Sequence, residues 1–401
     1  MDTSLLSKRV KVMPESATLQ MAQMARDLKE QGKDVINMSL GEPDFGTPED
    51  IKDAAKKALD DGYTKYTPVP GLPLLREAIV NKLKRDNNLD YNINQIVVTN
   101  GAKQAIANVC LAMLDPGDEV VLFAPYWVSY DSIIKIADGV PVEVYAGIEQ
   151  DFKVNARQLR DAITDKTKLI LFSSPSNPTG SVYTYEEYEE LAKVLKDFPN
   201  VHIISDEIYE YINFSANHTS LASFDFLKDR VIIINGMSKG FAMTGWRIGY
   251  MAANEAIAKS CVKIQGQFTS AANSISQVAA AYALDHGIYP EMSEKFNARR
   301  KVFIKLLKEI PGFKVNEPLG AFYLFPDISY YFGKSNGVDT ITDSVSFAEI
   351  LLKNALVATV PGKPFGAPDC LRFSYATSIE IIEEAASRVK TCLKEFNIKK
   401  L

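Results

Sequence analysis

Apolar positions along this chain recur with two different spacings. Leu19, Met21, Met24, Ala25 and Leu28 fall three and four apart, which predicts a helix over 16–31 capped by Ser16 or Thr18 and ended at Gly32. Residues 35–40 read as a short strand leading into the loop Gly41-Glu42-Pro43-Asp44-Phe45. The glycine there permits close approach of the backbone to a ligand, and it also suits an ordinary turn. Thr47-Pro48-Glu49-Asp50 predicts the next helix, with threonine as cap, proline at the first position and acids in the first turn. An irregular, aromatic stretch over 62–68 precedes a helix over 72–87.

From Gln95 the pattern becomes regular. Short β-branched apolar runs at 96–99, 119–123, 168–173, 201–205 and 231–234 are too short for helices. Most lead through a polar loop into a helical segment, among them one running to Leu114 and one over 185–198. Repeated units of this kind predict an α/β fold, a mostly parallel sheet covered by helices on both faces. After Ala253 the chain changes to long helices, notably 288–309 and a closing 378–396, with strands at 321–325 and 371–375. We therefore expect a large domain over 47–290 and a smaller α+β domain built from both chain ends, 1–46 and 291–401.

Composition narrows the function classes. At 401 residues, 46% hydrophobic and 24% charged, the chain is that of a globular protein with room for two or three domains. A net charge of −5 with scattered basic residues argues against nucleic-acid binding. The four cysteines lie far apart and there are only three histidines, so neither a metal cluster nor a disulfide framework is expected, and a proton shuttle must use another residue type. No stretch reaches eighteen apolar residues and the start lacks the apolar core of a signal peptide; the expectation is a cytoplasmic protein without a membrane span.

The polar oddities sit at predicted strand ends, where such sheets bind ligands. The densest is Asn235 to Tyr250, NGMSKGFAMTGWRIGY. Lys239 offers an amine, with the Ser238 hydroxyl before it and Arg247 eight positions on, both suited to a phosphate. Amine plus phosphate clamp is what an aldehyde cofactor such as pyridoxal 5′-phosphate requires. Gly101, Ala102 and Lys103 at a helix start add bare amides and a positive dipole end for the same anion. Asp206, closing a strand, can hold a proton on a pyridine nitrogen or simply cap a helix. Asn177 and Tyr209 can reach a ring hydroxyl, or serve as a turn residue and a half-buried aromatic. Trp127 can stack on a ring or pack in the core. Arg372 stands inside an apolar strand, and a buried guanidinium there demands an anion such as a substrate α-carboxylate.

With SKGFAMTGWRIGY, SNPTG, SDEIYE, APYWVSY, KYTPVPG and LGEPDF in this order, nearly the whole chain resembles the fold-type I, pyridoxal-phosphate-dependent class I aminotransferases, within them the bacterial aspartate aminotransferase branch. The resemblance implies that Lys239 bonds the cofactor aldehyde, Asp206 pairs with the ring nitrogen, and Asn177 and Tyr209 bind the ring oxygen. It assigns the phosphate to Ser238, Arg247 and the amides at 101–103, stacking to Trp127, and the substrate carboxylate to Gly41 and Arg372. It further implies a homodimer with shared active sites, in which Tyr66 reaches the phosphate bound by the other subunit. The implied reaction moves an amino group between L-aspartate and 2-oxoglutarate in a ping-pong cycle, with Lys103 receiving the distal carboxylate, helped by Ser16, Thr18, Thr269 or Ser270. The competing readings are an aminotransferase for aromatic or other amino acids, a β-lyase on the same scaffold, and a non-catalytic ligand sensor. Some relatives accept prephenate and carry a lysine just before the Ser-Ala-Thr segment; here Met13-Pro14-Glu15 precede Ser16, so prephenate is expected to be a poor substrate.

Overall fold

A computed structural model describes residues 5–11, 13, 15–215 and 218–397. The runs read as strands from their apolar character assemble into one sheet. After a two-residue strand β1 (Ile36–Asn37) come β2 (Ile96–Asn100), β3 (Glu119–Ala124), β4 (Val140–Tyr145), β5 (Thr167–Ser173), β6 (His202–Asp206), β7 (Val231–Gly236) and β8 (Ile248–Ala252). The seven from β2 to β8 lie in the order β2-β8-β7-β6-β5-β3-β4. All adjacent pairs are parallel except those made by β8, which runs antiparallel to both β2 and β7. The parallel strands are apolar on both faces because helices cover both. Val231 and Ile233 belong to the core under helices Glu49–Asp60, Pro73–Asn87, Tyr185–Leu195 and Ser274–His286. Ile232 and Ile234 belong to the core under Ala102–Met113, Ser129–Ile136 and Glu255–Phe268. Alternate residues thus feed opposite layers, the period-two rule of a strand.

A further core gathers Met21, Ala25, Val35 and Met38 from the start of the chain with Phe296, Phe303, Leu324 and Phe373 from its last third. The backbone joins them: β1 pairs in parallel with β10 (Val357–Ala358), reached after β9 (Tyr323–Leu324). β11 (Val360–Pro361) and β12 (Leu371–Ser374) complete a three-stranded antiparallel sheet in the order β11-β12-β9. Helices Ala17–Glu30, Pro290–Lys308 and Ile379–Lys394 flank these strands.

Several sequence expectations change in detail. The strands expected at 35–40 and 321–325 shrink to two residues each, because only those residues find a ladder partner. β4 and β8 carry no clear sequence signal. β4 is an edge strand whose alternating Val-Pro-Val-Glu-Val-Tyr is half exposed, and β8 is interrupted by Gly249. Ser16 stands at the N-cap of its helix without a side-chain cap bond. Thr47 does not cap either: Pro48 holds the N-cap position, and the Thr47 hydroxyl donates to the Ala242 carbonyl (2.7 Å) and accepts from Trp246 Nε1 (2.9 Å). A long-range tie to the lysine-bearing loop has displaced the local one. Pro14 lies outside the described residues.

Candidate active site

Strand direction decides where the chemistry collects. Five strand ends, Asn100, Ala124, Ser173, Asp206 and Gly236, lie on one edge of the sheet, and because β8 runs the other way its beginning lies there too. The residues just beyond those ends are Gly101, Trp127, Asn177, Tyr209, Lys239 and, before β8, Arg247. From the other core, the loop at 39–41 and strand β12, through Arg372, close over them.

Lys239 Nζ donates to the Gly41 carbonyl and lies 6.0 Å from the centre of the Tyr209 ring and 5.9 Å from that of Phe322. Burial in this aromatic setting pulls its pKa down to about 8, with Glu42 opposing the shift and the Arg372 and Arg247 guanidinium groups adding to it. A lysine amine held near neutrality is a competent nucleophile and base. Asp206 is buried; its Oδ2 accepts from the Tyr130 hydroxyl at 2.6 Å and its Oδ1 from the Ile208 amide at 3.1 Å. Burial pushes its carboxyl up to about 6, and those two hydrogen bonds restrain the rise.

Arg372, 2% exposed on β12, donates from Nη1 to Asn177 Oδ1 (2.9 Å) and from Nη2 to the Ser39 carbonyl (2.7 Å), while its guanidinium lies 4.6 Å above the Tyr323 ring. Among the described residues no carboxylate pairs with it, and its buried Nε has no acceptor. A desolvated cation held only by neutral groups is an incomplete arrangement that an anion completes. Only glycine fits at position 41 without displacing a neighbour, since the Tyr323 hydroxyl lies 2.8 Å from where a Cβ would start. The same hydroxyl meets that of Tyr209 at 2.8 Å, so Tyr209 is held from the small-sheet side, and Asn177 offers its amide nitrogen while its oxygen is engaged.

A second anion position lies at the start of the helix Ala102–Met113. Arg247 has φ +57°, a left-handed conformation unusual for a non-glycine residue, and its guanidinium is held by the carbonyls of Thr244 (3.0 Å) and Asn100 (3.4 Å) rather than by an acid. Gly101, with φ +78°, has no room for a side chain because Arg247 fills that space, and a Cβ on Gly249 would meet the Ala102 amide. Two glycines thus let the helix start and a guanidinium converge; the Gly101 amide, expected to bind an anion, instead donates to the Thr99 carbonyl at 2.8 Å, which leaves those of Ala102 and Lys103 for that part. The Ser238 hydroxyl, mostly buried nearby in sequence, makes no hydrogen bond within the described protein. Half-buried Trp127 carries Lys103 Nζ 4.8 Å above its ring; desolvation and then Arg247 lower the Lys103 pKa. Tyr66 is fully exposed and touches none of these groups.

The arrangement therefore brings together the principal expected residues except Tyr66; among the described residues none of Ser16, Thr18, Thr269 and Ser270 hydrogen-bonds to Lys103, and Thr269 instead accepts from Gln104 Nε2 at 2.6 Å. Sequence reasoning missed four participants. Tyr130 and Tyr323 sit within quoted or apolar segments without a polar signal of their own, Ser39 contributes only its backbone, and Glu210 is buried behind the site. Glu210 accepts from Lys82, Asn87 (2.7 Å) and Asn235 (2.8 Å), tying the residue after Tyr209 to the end of β7. Lys82 is 1% exposed, so this is a buried ion pair.

A parallel sheet with a buried lysine, a carboxylate and two anion positions at its strand ends defines an enzyme of amino-group chemistry. The family model described as aminotransferase class I and II matches residues 33–389, and the chain belongs to that family, whose members generally depend on pyridoxal phosphate. It is 46% identical to the aspartate aminotransferase of Bacillus sp. (strain YM-2), covering 97% of this chain and 99% of that protein. It is 44% identical to a probable aspartate/prephenate aminotransferase of Rickettsia felis, over 99% and 98% of the two chains. Among solved structures, the aspartate aminotransferase of Rhizobium meliloti superposes with a TM-score of 0.94 at 38% identity, covering 97% and 98% of the chains. That of Thermus thermophilus with maleate gives 0.90 at 39% identity, over 97% and 99%.

Proposed function

We propose that this chain is a pyridoxal-phosphate-dependent aminotransferase that exchanges an amino group between L-aspartate and 2-oxoglutarate. The observation that carries the reading is the buried Arg372, with no acid partner among the described residues, in a site that also holds a lysine amine of lowered pKa. The aspartate aminotransferases above, one of them holding the dicarboxylate maleate, support the substrate class. When bound, pyridoxal phosphate supplies an aldehyde that condenses with amines and a pyridine ring that withdraws electrons from the substrate Cα.

The chain's own residues do the rest. Lys239 Nζ would hold the aldehyde and would serve as the base for the substrate Cα proton, which is why no histidine is required. Asp206 keeps a proton on the ring nitrogen. Arg247, Ser238 and the amides at Ala102 and Lys103 take the phosphate; Trp127 stacks; Asn177 Nδ2 and Tyr209 face the ring oxygen. Arg372 and Gly41 receive the α-carboxylate, and Lys103 the distal one. The same reading makes the protein a homodimer in which Tyr66 serves the partner's phosphate site, and it treats 1–46 with 291–401 as a small domain beside 47–290. In support, residues of both chain ends share one core and one backbone ladder.

The test is spectroscopic. The holoenzyme should be yellow, lose that colour with L-aspartate and regain it with 2-oxoglutarate, and borohydride should fix the label on the peptide containing Lys239. Release of ammonia and pyruvate, or a label elsewhere, would overturn the assignment. Because Met13-Pro14-Glu15, with no lysine among them, precede Ser16, initial rates with prephenate should fall well below those with 2-oxoglutarate; comparable rates would refute that.

A further inference from the structure

We infer that Tyr130 is a positioning residue for the reaction, its hydroxyl holding Asp206 ionised and aimed at the cofactor's ring nitrogen. The inference rests on the reading of Asp206 above and adds to it the group on which that carboxylate depends.

Tyr130 lies in the first turn of the helix Ser129–Ile136, three residues after Trp127, so the two rings share one side of the chain. They meet edge to face, with centroids 5.5 Å apart and planes at 87°. Tyr130 is 1% exposed, and its hydroxyl donates to Asp206 Oδ2 at 2.6 Å. The Ser173 hydroxyl, on the strand position paired with Asp206, also faces the Tyr130 oxygen. Burial, and then Asp206, raise the Tyr130 pKa well above that of an ordinary phenol, so it remains a donor. Asp206 has one other donor, the Ile208 amide on the opposite oxygen. One rigid side chain therefore touches both the residue placed to stack on the ring and the residue placed to protonate it.

The physical consequence is specific. A carboxylate this buried prefers to be neutral, and a short hydrogen bond from a neutral donor favours its charged form. Without the hydroxyl, Asp206 takes up a proton at higher pH and loses the fixed orientation of Oδ2. Both changes weaken its preference for a protonated ring nitrogen over an uncharged ring position.

The experiment compares binding of pyridoxal phosphate and its 1-deaza analogue, in which a carbon replaces the ring nitrogen, to the apoenzyme at pH 7.5 by absorbance titration. The wild-type protein should bind the natural cofactor more tightly by a ratio that Tyr130→Phe reduces about tenfold. A loss of packing would change both dissociation constants alike and leave the ratio in place. In an Asp206→Asn background, Tyr130→Phe should leave the ratio unaltered, which also serves if the single variant proves hard to fold. A wild-type ratio retained by Tyr130→Phe overturns the role of Tyr130. A wild-type protein that does not discriminate between the two ligands overturns the reading of Asp206 itself, and this inference with it.

Discussion

At the scale of single residues, the site is defined by an amine and a carboxyl whose pKa values burial moves toward neutrality. Asp206, shifted from 3.8 to about 6 by burial, is harder to ionise in the folded protein than in the unfolded chain. Its stability contribution is therefore fully present below the unfolded value and is lost as pH rises through about 6. Asp206→Asn should then stabilise the apoprotein at pH 8 by up to about 3 kcal/mol, by roughly half of that at pH 5 and little below the unfolded value of 3.8, while crippling turnover; denaturant unfolding across this pH range checks this. For Lys239 the shift has the opposite sense: an amine with a pKa of about 8 is mostly charged at pH 7 and mostly neutral at pH 9. The rate of cofactor capture by the apoenzyme should rise about tenfold per pH unit below 8 and level off above it, measured by stopped-flow absorbance. A capture rate flat between pH 6 and 8 would remove the amine from the rate-limiting step.

At the scale of elements, the lysine and aspartate loops depend on one buried carboxylate. Glu210 joins the helix Pro73–Asn87, through Lys82 and Asn87, to Asn235 at the end of β7. Burial alone would raise its pKa, but Lys82 and the other partners outweigh that and lower it. Glu210→Ala leaves Lys82 charged, buried and unpaired, and should cost about 3–5 kcal/mol in global unfolding, far more than alanine at an exposed pair such as Lys56–Asp53. Elements also show how far sequence reading reaches. β3, β5, β6 and β7 were legible because strands buried on both faces appear as unbroken apolar runs. β4 was hidden by its edge position, and β8 by Gly249, whose missing side chain is what lets the helix at Ala102 pack close. Thr47 was misread because the local signal for a cap was sound but its partners lie about 200 residues away at Ala242 and Trp246. Lys239, Arg247 and Asp206 were legible as reactive side chains at strand ends. Tyr130 and Glu210 were not, because nothing in a helix's first turn or an acidic turn reveals which buried atoms they meet.

At the scale of the whole molecule, fully exposed Tyr66 and the shared site proposed above make a joint prediction. Lys239→Ala should be inactive, and Tyr66→Ala should bind the cofactor poorly. Mixing the two variants under conditions that exchange subunits should restore about a quarter of wild-type activity, since half of the dimers then carry one intact site. No recovery, with exchange verified by differently tagged chains, would place Tyr66 outside the site. Among the described residues no helix is long and apolar enough to cross a membrane.

The antiparallel turn of β7 into β8 has one more consequence. Because Gly236 pairs with Gly249, the nucleophile at Lys239 and the guanidinium at Arg247 project from a single hairpin whose span is locked by main-chain hydrogen bonds. On the function proposed above the hairpin would act as a ruler for the spacing between a reactive carbon and an anionic tail, and a cofactor homologue lengthened by a methylene is expected to bind more weakly in an absorbance titration. Adding a residue between positions 240 and 246 would miscalibrate that ruler while leaving each end chemically intact.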